Sequence, residues 1–352
     1  MKKTKTKEYD FFELLDNFII DLETGKHLLK NGSRMKISSI NNYKYFRVLM
    51  TKYCRQKSLD LKIYNLIRCS QKEYLKELNK WKKFYKKFSK YLYNECNYYD
   101  NYVGANMKYI RSFFNYLKAE KGIDTRDIPK IFYVSKEEVP IVVLTREQLN
   151  FLIFDKSFEQ SLPVRLQRVK DIFVFGCTVG LRISDLNLLT KANLESTFGD
   201  IYLKVLSKKT GTFSRVKLPD FAIAILNKYN NRNINLLPML HLFNFNKYIR
   251  ELAELAGWTQ LVDKKRSKRG QTKILRRANT KLRFRFCDLI SSHTMRRTAI
   301  TTYLSLGMPE QLVRRLSGHS SSSKEFYRYV KYSEEHFDNE LNKVHQKLVE
   351  LR

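Results

Sequence analysis

A short stretch near the end of the sequence combines a histidine with closely spaced tyrosines, residue types that can carry out nucleophilic and proton-transfer chemistry. In "LSGHSSSSKEFYRYVKYSEEHF", His319 follows a glycine, and the tyrosines that come after it are Tyr327, Tyr329 and Tyr332. Tyrosines at helical spacing usually bury their rings and point their hydroxyls at water. This stretch alone therefore favours packing, and other residues must decide whether one tyrosine is a nucleophile.

Two arginines elsewhere in the sequence occupy positions that suit anion binding. In "GCTVGLRISDL", Arg182 follows a glycine turn and precedes a helix, and Asp185 could hold its orientation. In "SSHTMRRTAITTYLSLGM", the serines predict a helix start, and His293 and Arg296 share a face of its first turn. Free backbone amides and the helix dipole favour a phosphate there, although either motif alone is also typical of a solvated helix.

A predicted β-hairpin adds lysines to this set. The segment "GDIYLKVLSKKTGTFSRVKLP" alternates as a hairpin with Lys208 and Lys209 at its turn. A mobile ammonium group there could reach a leaving oxygen, although exposed hairpin lysines usually serve solubility. A helix that begins near Pro309 and ends at Gly318 would bring His319 to the same region.

The composition indicates a partner that is a polyanion. The 352 residues include 67 Lys and Arg against 35 Asp and Glu, a net charge of +32, and nucleic acid is the first candidate partner. No apolar run approaches the roughly 18 residues of a membrane-spanning helix, and the start does not resemble a signal peptide. We therefore expect a soluble, cytoplasmic protein with no membrane partner.

The sequence does not suggest a metal or a cofactor. The cysteines are odd in number and scattered without a CxxC pair: Cys54, Cys69, Cys96, Cys177 and Cys287. We expect them to be reduced core residues rather than disulfides or metal ligands. The sequence also lacks a "GxxxxGK[ST]" loop and an acidic cluster with magnesium spacing, which argues against a metal-dependent nuclease or an ATP-driven enzyme.

The hydrophobic pattern predicts two domains and a linker. Residues 1–122 carry three amphipathic helical stripes, with lysine-rich faces that either meet solvent or contact a DNA backbone. Residues 123–145 contain prolines and no helical stripe, so we interpret them as a linker. Residues 146–352 mix helices with strands. Within them, residues 264–285 hold eleven Lys or Arg and no acid, which favours a strip along phosphates over a disordered loop.

Taken in order, "GLRISDL", "KKTG", "HTMRR", "LSGH" and a following tyrosine resemble the motif set of the tyrosine recombinase, or phage integrase, family. The resemblance covers residues 146–340 and, more loosely, the helical region before them. It implies a mostly α fold with a small antiparallel β-hairpin or sheet. A helical, SAM-like DNA-clamping domain would precede an α+β catalytic domain that carries a C-terminal helix.

The resemblance assigns roles to the cations. Arg182 and Arg296 would be the arginine pair on the scissile phosphate. Lys209 would be the acid for the leaving 5′ oxygen, with Lys208 as the alternative.

The resemblance also assigns roles to the histidines and to a nucleophile. His293 and His319 would be hydrogen-bonding or proton-transfer partners. The family usually has its tyrosine nine residues after the "GH" histidine, but Arg328 stands there. The pattern "F-x-[KR]-Y-[IV]-[KR]", typical of integrases from Bacteroides-type mobile elements, matches at Tyr329, and Tyr327 is the alternative.

The function implied is a site-specific DNA recombinase that cleaves and rejoins strands through a covalent 3′-phosphotyrosine and integrates or excises a phage or other mobile element. Such an enzyme would act in the bacterial nucleoid on double-stranded DNA, as a homo-tetramer on paired sites. The C-terminal helix, with apolar residues 337, 341, 344 and 348 at helical spacing, would dock on a neighbouring subunit or pack within its own chain. A DNA-bending accessory protein is a further possible partner.

Alternative functions remain open at this point. A type IB topoisomerase shares much of the catalytic set, although the N-terminal helical domain and the "LSGH" motif favour a recombinase. A non-catalytic DNA-binding regulator would have the same charge, but every catalytic position here holds a competent residue.

Overall fold

Helices form most of the chain and the strands pair in small antiparallel sheets, which confirms the predicted fold class. The computed structural model describes residues 7–207, 211–230, 234–320, 323, 326–331, 338, 341–342 and 345–346. It has two structural units: unit 1 comprises Met1–Val139 and Lys265–Ile274, and unit 2 comprises Pro140–Lys264 and Leu275–Arg352. Among the described residues, none of the helices is both long and apolar enough to span a membrane.

In its described residues, unit 1 has four long helices, one short helix, a small antiparallel sheet and a hairpin that is described below. Its helices are α1 (Phe11–Thr24), α2 (Ile37–Gln56), α3 (Gln71–Asn94), α4 (Asp100–Glu120) and α5 (Ile128–Ile131), and its paired strands are β1 (Glu8–Asp10) and β2 (Lys62–Tyr64). Polar caps fix two of the helix starts. Asp10 accepts hydrogen bonds from the first amides of α1, and Ser70 and Glu73 form a capping box on α3.

The core of unit 1 is rich in aromatic rings, and it includes a helix that the sequence pattern did not reveal. Three helices were predicted, whereas α2 is a fourth. It buries a stripe that contains Ile40, Tyr43, Phe46 and Tyr53. The helical spacing of these residues was a usable signal, but half of them are tyrosines and the stripe is interrupted by lysine, arginine and asparagine.

Residues 123–139 fold with unit 1, whereas the sequence suggested a linker there. Ile123, Ile128 and Phe132 are at most 3% exposed and belong to the same core as the long helices. The prolines that suggested a linker limit the regular structure of this segment to the short helix α5. The buried side chains nevertheless attach the segment to the unit.

Part of the basic block also folds with unit 1. It forms a hairpin of strands β7 (Lys264–Lys268) and β8 (Gln271–Leu275), and residues 265–274 of it belong to this unit. The buried carboxylate of Asp100 accepts hydrogen bonds from Ser267 Oγ at 2.6 Å and from the amides of Arg269 and Gly270 at 2.7 and 2.9 Å. Burial alone would raise the pKa of Asp100, but these hydrogen bonds outweigh it and lower the pKa.

Unit 2 holds the remaining elements, including a three-stranded sheet. Its helices are α6 (Arg146–Phe154), α7 (Lys156–Ser161), α8 (Val164–Val179), α9 (Ile183–Leu186), α10 (Asp220–Tyr229), α11 (Leu242–Leu255), α12 (Phe286–Leu289), α13 (Ser292–Ser305), α14 (Glu310–Leu316) and α15 (Tyr327–Lys331). Its strands are β3 (Leu194–Thr197), β4 (Asp200–Leu206) and β5 (Phe213–Lys217) in one antiparallel sheet, and β6 (Leu261–Val262) and β9 (Phe284–Arg285) in another.

Helix α8 lies at the centre of unit 2. Every residue from Val169 to Val179 is buried, as expected for a helix that is covered on all sides. Helix α13 packs closely against it at Gly176, where an added Cβ would lie 2.5 Å from Sδ of Met295. This close approach brings the start of α13 next to the end of α8, and both ends contribute to the site described below.

A second close approach, in unit 1, predicts a sensitive glycine. A Cβ at Gly104 in α4 would lie 2.0 Å from the carbonyl oxygen of Ser135. In a helix, alanine stabilises the folded state by about 1 kcal/mol relative to glycine. Overpacking costs about 1 to 3 kcal/mol of stability, and a contact as short as this one belongs at the upper end of that range. We therefore expect Gly104→Ala to lower the free energy of unfolding by about 2 kcal/mol in urea titrations followed by circular dichroism.

Lys108→Ala, on the exposed face of the same helix, is the matched control and should leave the stability within about 0.5 kcal/mol of the wild type. A Gly104→Ala protein as stable as the wild type would contradict the close packing at Ser135.

Candidate active site

Arg296 lies at the centre of the candidate site. Helix α13 begins with a capping box between Ser291 and Thr294, as the serines in the sequence predicted, and it buries Arg296 to 4% exposure one turn later. Nη1 of Arg296 donates to the carbonyl oxygen of Gly180 at 3.0 Å and to that of Ser317. Three helix ends therefore meet at one guanidinium group: the start of α13, the end of α8 and the end of α14.

His319 is the fourth group in this contact. Its Nδ1 lies 2.8 Å from Ser317 Oγ, and the Ser317 hydroxyl itself donates to the carbonyl of Val313 at 2.6 Å. Ser317 Oγ is thus an acceptor toward the imidazole, so we assign the ring proton to Nδ1. Nε2 is then the acceptor for Nη2 of Arg296, which lies 3.0 Å away.

Burial sets the charge states of this pair. Burial and the positive charges of nearby arginines, Arg296 first, lower the pKa of His319 to about 3. Burial and the charge of Arg182 lower the pKa of Arg296 to about 10, while Tyr329 acts in the opposite direction. At neutral pH the site therefore holds a cationic Arg296 beside a neutral His319.

Arg182 approaches the same site from the residue before α9. Its Nη1 donates to Ser207 Oγ at 3.2 Å, and Ser207 Oγ donates to the buried carboxylate of Asp185 at 3.2 Å. The sequence suggested that Asp185 orients Arg182; the structure shows a serine hydroxyl between the two. Ser207 was missed, although its position directly before the lysines of the hairpin turn was the available signal.

Of the tyrosines, Tyr329 is the one beside Arg296. It is half-buried on α15, it acts to raise the pKa of the Arg296 guanidinium group, and its ring centroid lies 5.8 Å from that of His319. Tyr327 is 60% exposed, and its ring lies 4.8 Å from the guanidinium carbon of Arg314. Tyr332 lies outside the described residues.

The structure describes His293 but not the two lysines among the remaining predicted site residues. Lys208 and Lys209 lie outside the described residues, but the flanking strands end at the site. The amide of Gly211 donates to the carbonyl of Ser207, which is the residue that contacts Arg182. His293 has an exposed side chain on the first turn of α13, one helical turn before the buried Arg296.

An open cleft adjoins these groups. Its volume is about 640 Å³, and His319, Arg314, Arg315 and Tyr327 are among the residues that line it. Two guanidinium groups beside a tyrosine hydroxyl suit nucleophilic attack on a phosphodiester, because the cations stabilise both the phenolate and the charge on the phosphate. The arrangement is therefore suited to chemistry on a phosphodiester.

Residues 143–336 match the model of the phage integrase family. The chain therefore belongs to the phage integrase family, and it is a site-specific recombinase of the tyrosine type, as the motifs predicted. No curated protein shows a significant match to the sequence.

Solved structures share this fold at low sequence identity. A lambda integrase dimer bound to a COC′ core site is 15% identical with a TM-score of 0.58, over 92% of this chain and 77% of that chain. The Tn1549 transposon integrase in complex with circular intermediate DNA is 15% identical with a TM-score of 0.57, over 92% and 94%. A lambda integrase tetramer bound to a Holliday junction is 16% identical with a TM-score of 0.55, over 90% and 79%. At these identities the likeness shows the fold.

The buried neutral His319 predicts a loss of stability in acid. Its pKa is about 3 in the folded state and about 6.5 in an unfolded chain, so the unfolded state takes up a proton first as the pH falls. The contribution of His319 is complete above about pH 6.5 and decreases below it, by up to about 1.4 kcal/mol per pH unit. Urea unfolding at about pH 7 and about pH 5, followed by tryptophan fluorescence, measures this loss.

His319→Gln should unfold more easily at both pH values but should lose about 2 kcal/mol less than the wild type on acidification. His241→Gln, which removes an exposed histidine of the same unit, should keep the wild-type loss. Equal losses in the wild type and in His319→Gln would contradict the charge state assigned to this histidine.

Proposed function

We propose that the protein is a mobile-element integrase that cuts and rejoins double-stranded DNA through a covalent bond between Tyr329 and a 3′-phosphate. The observation that carries this proposal is the position of the half-buried Tyr329, whose ring centroid lies 5.8 Å from that of His319, the imidazole that contacts the buried Arg296. The competing Tyr327 is exposed and has its ring beside Arg314 instead.

In the cleavage step, Oη of Tyr329 forms a bond to the scissile phosphorus, and the bond between phosphorus and the 5′ oxygen breaks. Lys209 gives a proton to the leaving 5′ oxygen. Arg182 and Arg296 balance the charge that develops on the nonbridging oxygens. A tyrosine is only about 0.1% ionised at neutral pH, so the same cations also favour the reactive phenolate.

The two histidines have different tasks in this proposal. His319 is neutral, and its acceptor nitrogen already faces Arg296, so its task is to hold the arginine in place. His293 is exposed on the first turn of α13, and we assign to it the proton that leaves Tyr329.

Rejoining is the reverse reaction with a different strand. A 5′ hydroxyl attacks the phosphotyrosine, the bond between phosphorus and Tyr329 breaks, and the tyrosine regains its proton. The phosphotyrosine bond conserves the energy of the original diester, so strand exchange proceeds without the hydrolysis of a nucleotide.

The proposed partners are DNA and further copies of the chain. The net charge of +32 supports extensive phosphate contact. The lambda and Tn1549 integrases were solved on core-site and circular intermediate DNA, and lambda integrase as a tetramer on a Holliday junction. By analogy we propose a tetramer on paired sites at the ends of a mobile element. Most of the tail that would join its subunits lies outside the described residues, and an accessory bending protein stays a prediction.

The nucleophile can be tested by trapping. A nicked DNA substrate made from the ends of the element loses its short 5′ fragment after cleavage, so the covalent complex accumulates. We expect an adduct on Tyr329 that Tyr329→Phe abolishes and the matched variant Tyr327→Phe retains, as shown by peptide mass mapping. An adduct on Tyr327 would contradict the assignment and keep the enzyme class.

The same assay separates the other functions. Relaxation of supercoiled plasmid that lacks the target site would indicate a topoisomerase, and tight binding without any adduct would indicate a regulator.

Arg182 should contribute to catalysis far more than to binding. A preorganised donor on the transition state contributes about 3 kcal/mol, so we expect Arg182→Ala to slow single-turnover cleavage by about a hundredfold or more. Filter binding should show DNA affinity within about threefold of the wild type, because the many other cations supply most of the phosphate contacts.

Arg168→Ala changes an arginine on α8 and serves as the control, with cleavage expected near the wild-type rate. A parallel loss of affinity and rate in Arg182→Ala would place this residue in general DNA binding instead.

A further inference from the structure

Arg314 is a buried cation near the candidate site to which the chemistry above gives no role. It is only 7% exposed on α14. Its Nε donates to Oε1 of Glu310, one helical turn earlier, at 2.7 Å. Its Nη1 donates to the backbone carbonyl of Ser323 at 3.2 Å. The guanidinium group therefore connects the body of unit 2 to the segment that leads into α15.

The guanidinium group lies against the aromatic rings of two residues just before Tyr329. Its central carbon lies 4.3 Å from the ring centroid of Phe326 and 4.8 Å from that of Tyr327. The amide of Tyr329 in turn donates to the carbonyl of Phe326 at 2.9 Å. Arg314 thus contacts the first turn of the helix that carries Tyr329.

Apolar packing holds the other side of the same turn. Phe326 is fully buried against Ile300, Leu304 and Val313, and Tyr329 packs against the edge of this cluster. Phe326 thus contacts both the other residues of this cluster and the guanidinium group of Arg314.

The described part of helix α15 covers Tyr327–Lys331 and begins with the turn that carries both tyrosines. Tyr329 packs against the cluster around Phe326, and Tyr327 lies beside Arg314. These tertiary contacts set the direction in which each tyrosine hydroxyl points. Arg314 lies against the rings of Phe326 and Tyr327 and donates a hydrogen bond to Ser323, ahead of the helix.

We propose that Arg314 is a positioning residue that turns Tyr329 toward Arg296 and holds Tyr327 away from it. This inference rests on the proposed function, because it concerns the choice of nucleophile in that reaction. Arg314 acts through Phe326 and the start of α15, and its hydrogen bonds to described residues include those to Glu310, Ser320 and Ser323. Lysine cannot replace it, since an ammonium group lacks the planar face and the fork of donors.

The first test compares Arg314→Lys with Leu312→Ala, an exposed residue of the same helix, on the nicked substrate. We expect Arg314→Lys to form the adduct about tenfold more slowly or worse, since small misplacements of a reacting group are costly. Its DNA affinity should stay within about twofold, and the share of adduct on Tyr327 should rise. Leu312→Ala should behave as the wild type. An unchanged rate and an unchanged Tyr329 adduct in Arg314→Lys would overturn the inference.

A second test separates positioning from a direct effect on the phosphate. In a Tyr329→Phe background, hydrogen peroxide is supplied as an external nucleophile: its oxygen bonds to phosphorus while the 5′ oxygen leaves with a proton. Peroxide needs no positioned helix, so adding Arg314→Lys should leave this cleavage within about twofold. An equal loss in the peroxide and tyrosine reactions would overturn the inference and indicate that Arg314 acts on the phosphate or on the fold.

Glu310→Gln keeps the test usable if Arg314→Lys does not fold. It removes the charge that pairs with Arg314 at a partly exposed position, and we expect the same pattern with a loss of about threefold. An unchanged rate would overturn the inference here as well. A wild type that formed no adduct on a substrate that it binds would contradict the proposed function. A wild type that formed the adduct normally, with Arg314 and Glu310 variants that did the same, would contradict only the role of Arg314.

Discussion

The candidate site depends on one buried guanidinium group. Arg296 is cationic in a place with little water, so its donors must find acceptors within the protein. These acceptors are the carbonyl of Gly180, the carbonyl of Ser317 and the ring of His319. The ends of α8 and α14 must therefore converge on α13. Gly180, whose φ of 65° suits glycine, and the absence of a Cβ at Gly176 permit that convergence.

Side-chain contacts link the other proposed catalytic groups to the surrounding elements. The hydroxyl of Ser207 links Arg182 and Asp185 to the base of the β4–β5 hairpin, whose turn carries the lysines. Arg314 and Phe326 link α14 to the tyrosine helix. Arg182 is thus held by a side-chain hydrogen bond, whereas Tyr329 is held by packing around Phe326.

The sequence predicted the parts of the site that fixed motifs carry, and it missed those that depend on tertiary contact. Arg182, Arg296 and His319 stand in recognisable local patterns, and helix caps such as Ser291 follow simple rules. Ser207 and Arg314 act through partners far away in the sequence or through a stacked ring, and no spacing rule marks them. The pattern around Tyr329 selected the tyrosine that the structure has beside Arg296, despite the extra residue after His319.

In the fold, too, the sequence predicted local patterns better than contacts between distant residues. The stripes of α1, α3 and α4 were clear, while the tyrosine-rich stripe of α2 was hidden among charged residues. The basic block favoured a strip along phosphates over a disordered loop, and phosphate contact stays a prediction. The sequence did not reveal that the carboxylate of Asp100 accepts hydrogen bonds from the turn of the β7–β8 hairpin, a pairing between residues more than 160 positions apart.

The most direct test of the central claim is a structure of the protein on a nicked target duplex with orthovanadate at the cleavage site, where vanadate takes the pentavalent geometry of the reacting phosphorus. We expect Oη of Tyr329 as the apical ligand opposite the 5′ oxygen, with Arg182 and Arg296 both contacting equatorial oxygens. Tyr327 or Tyr332 in the apical position, or an Arg296 that contacts no vanadate oxygen, would contradict it.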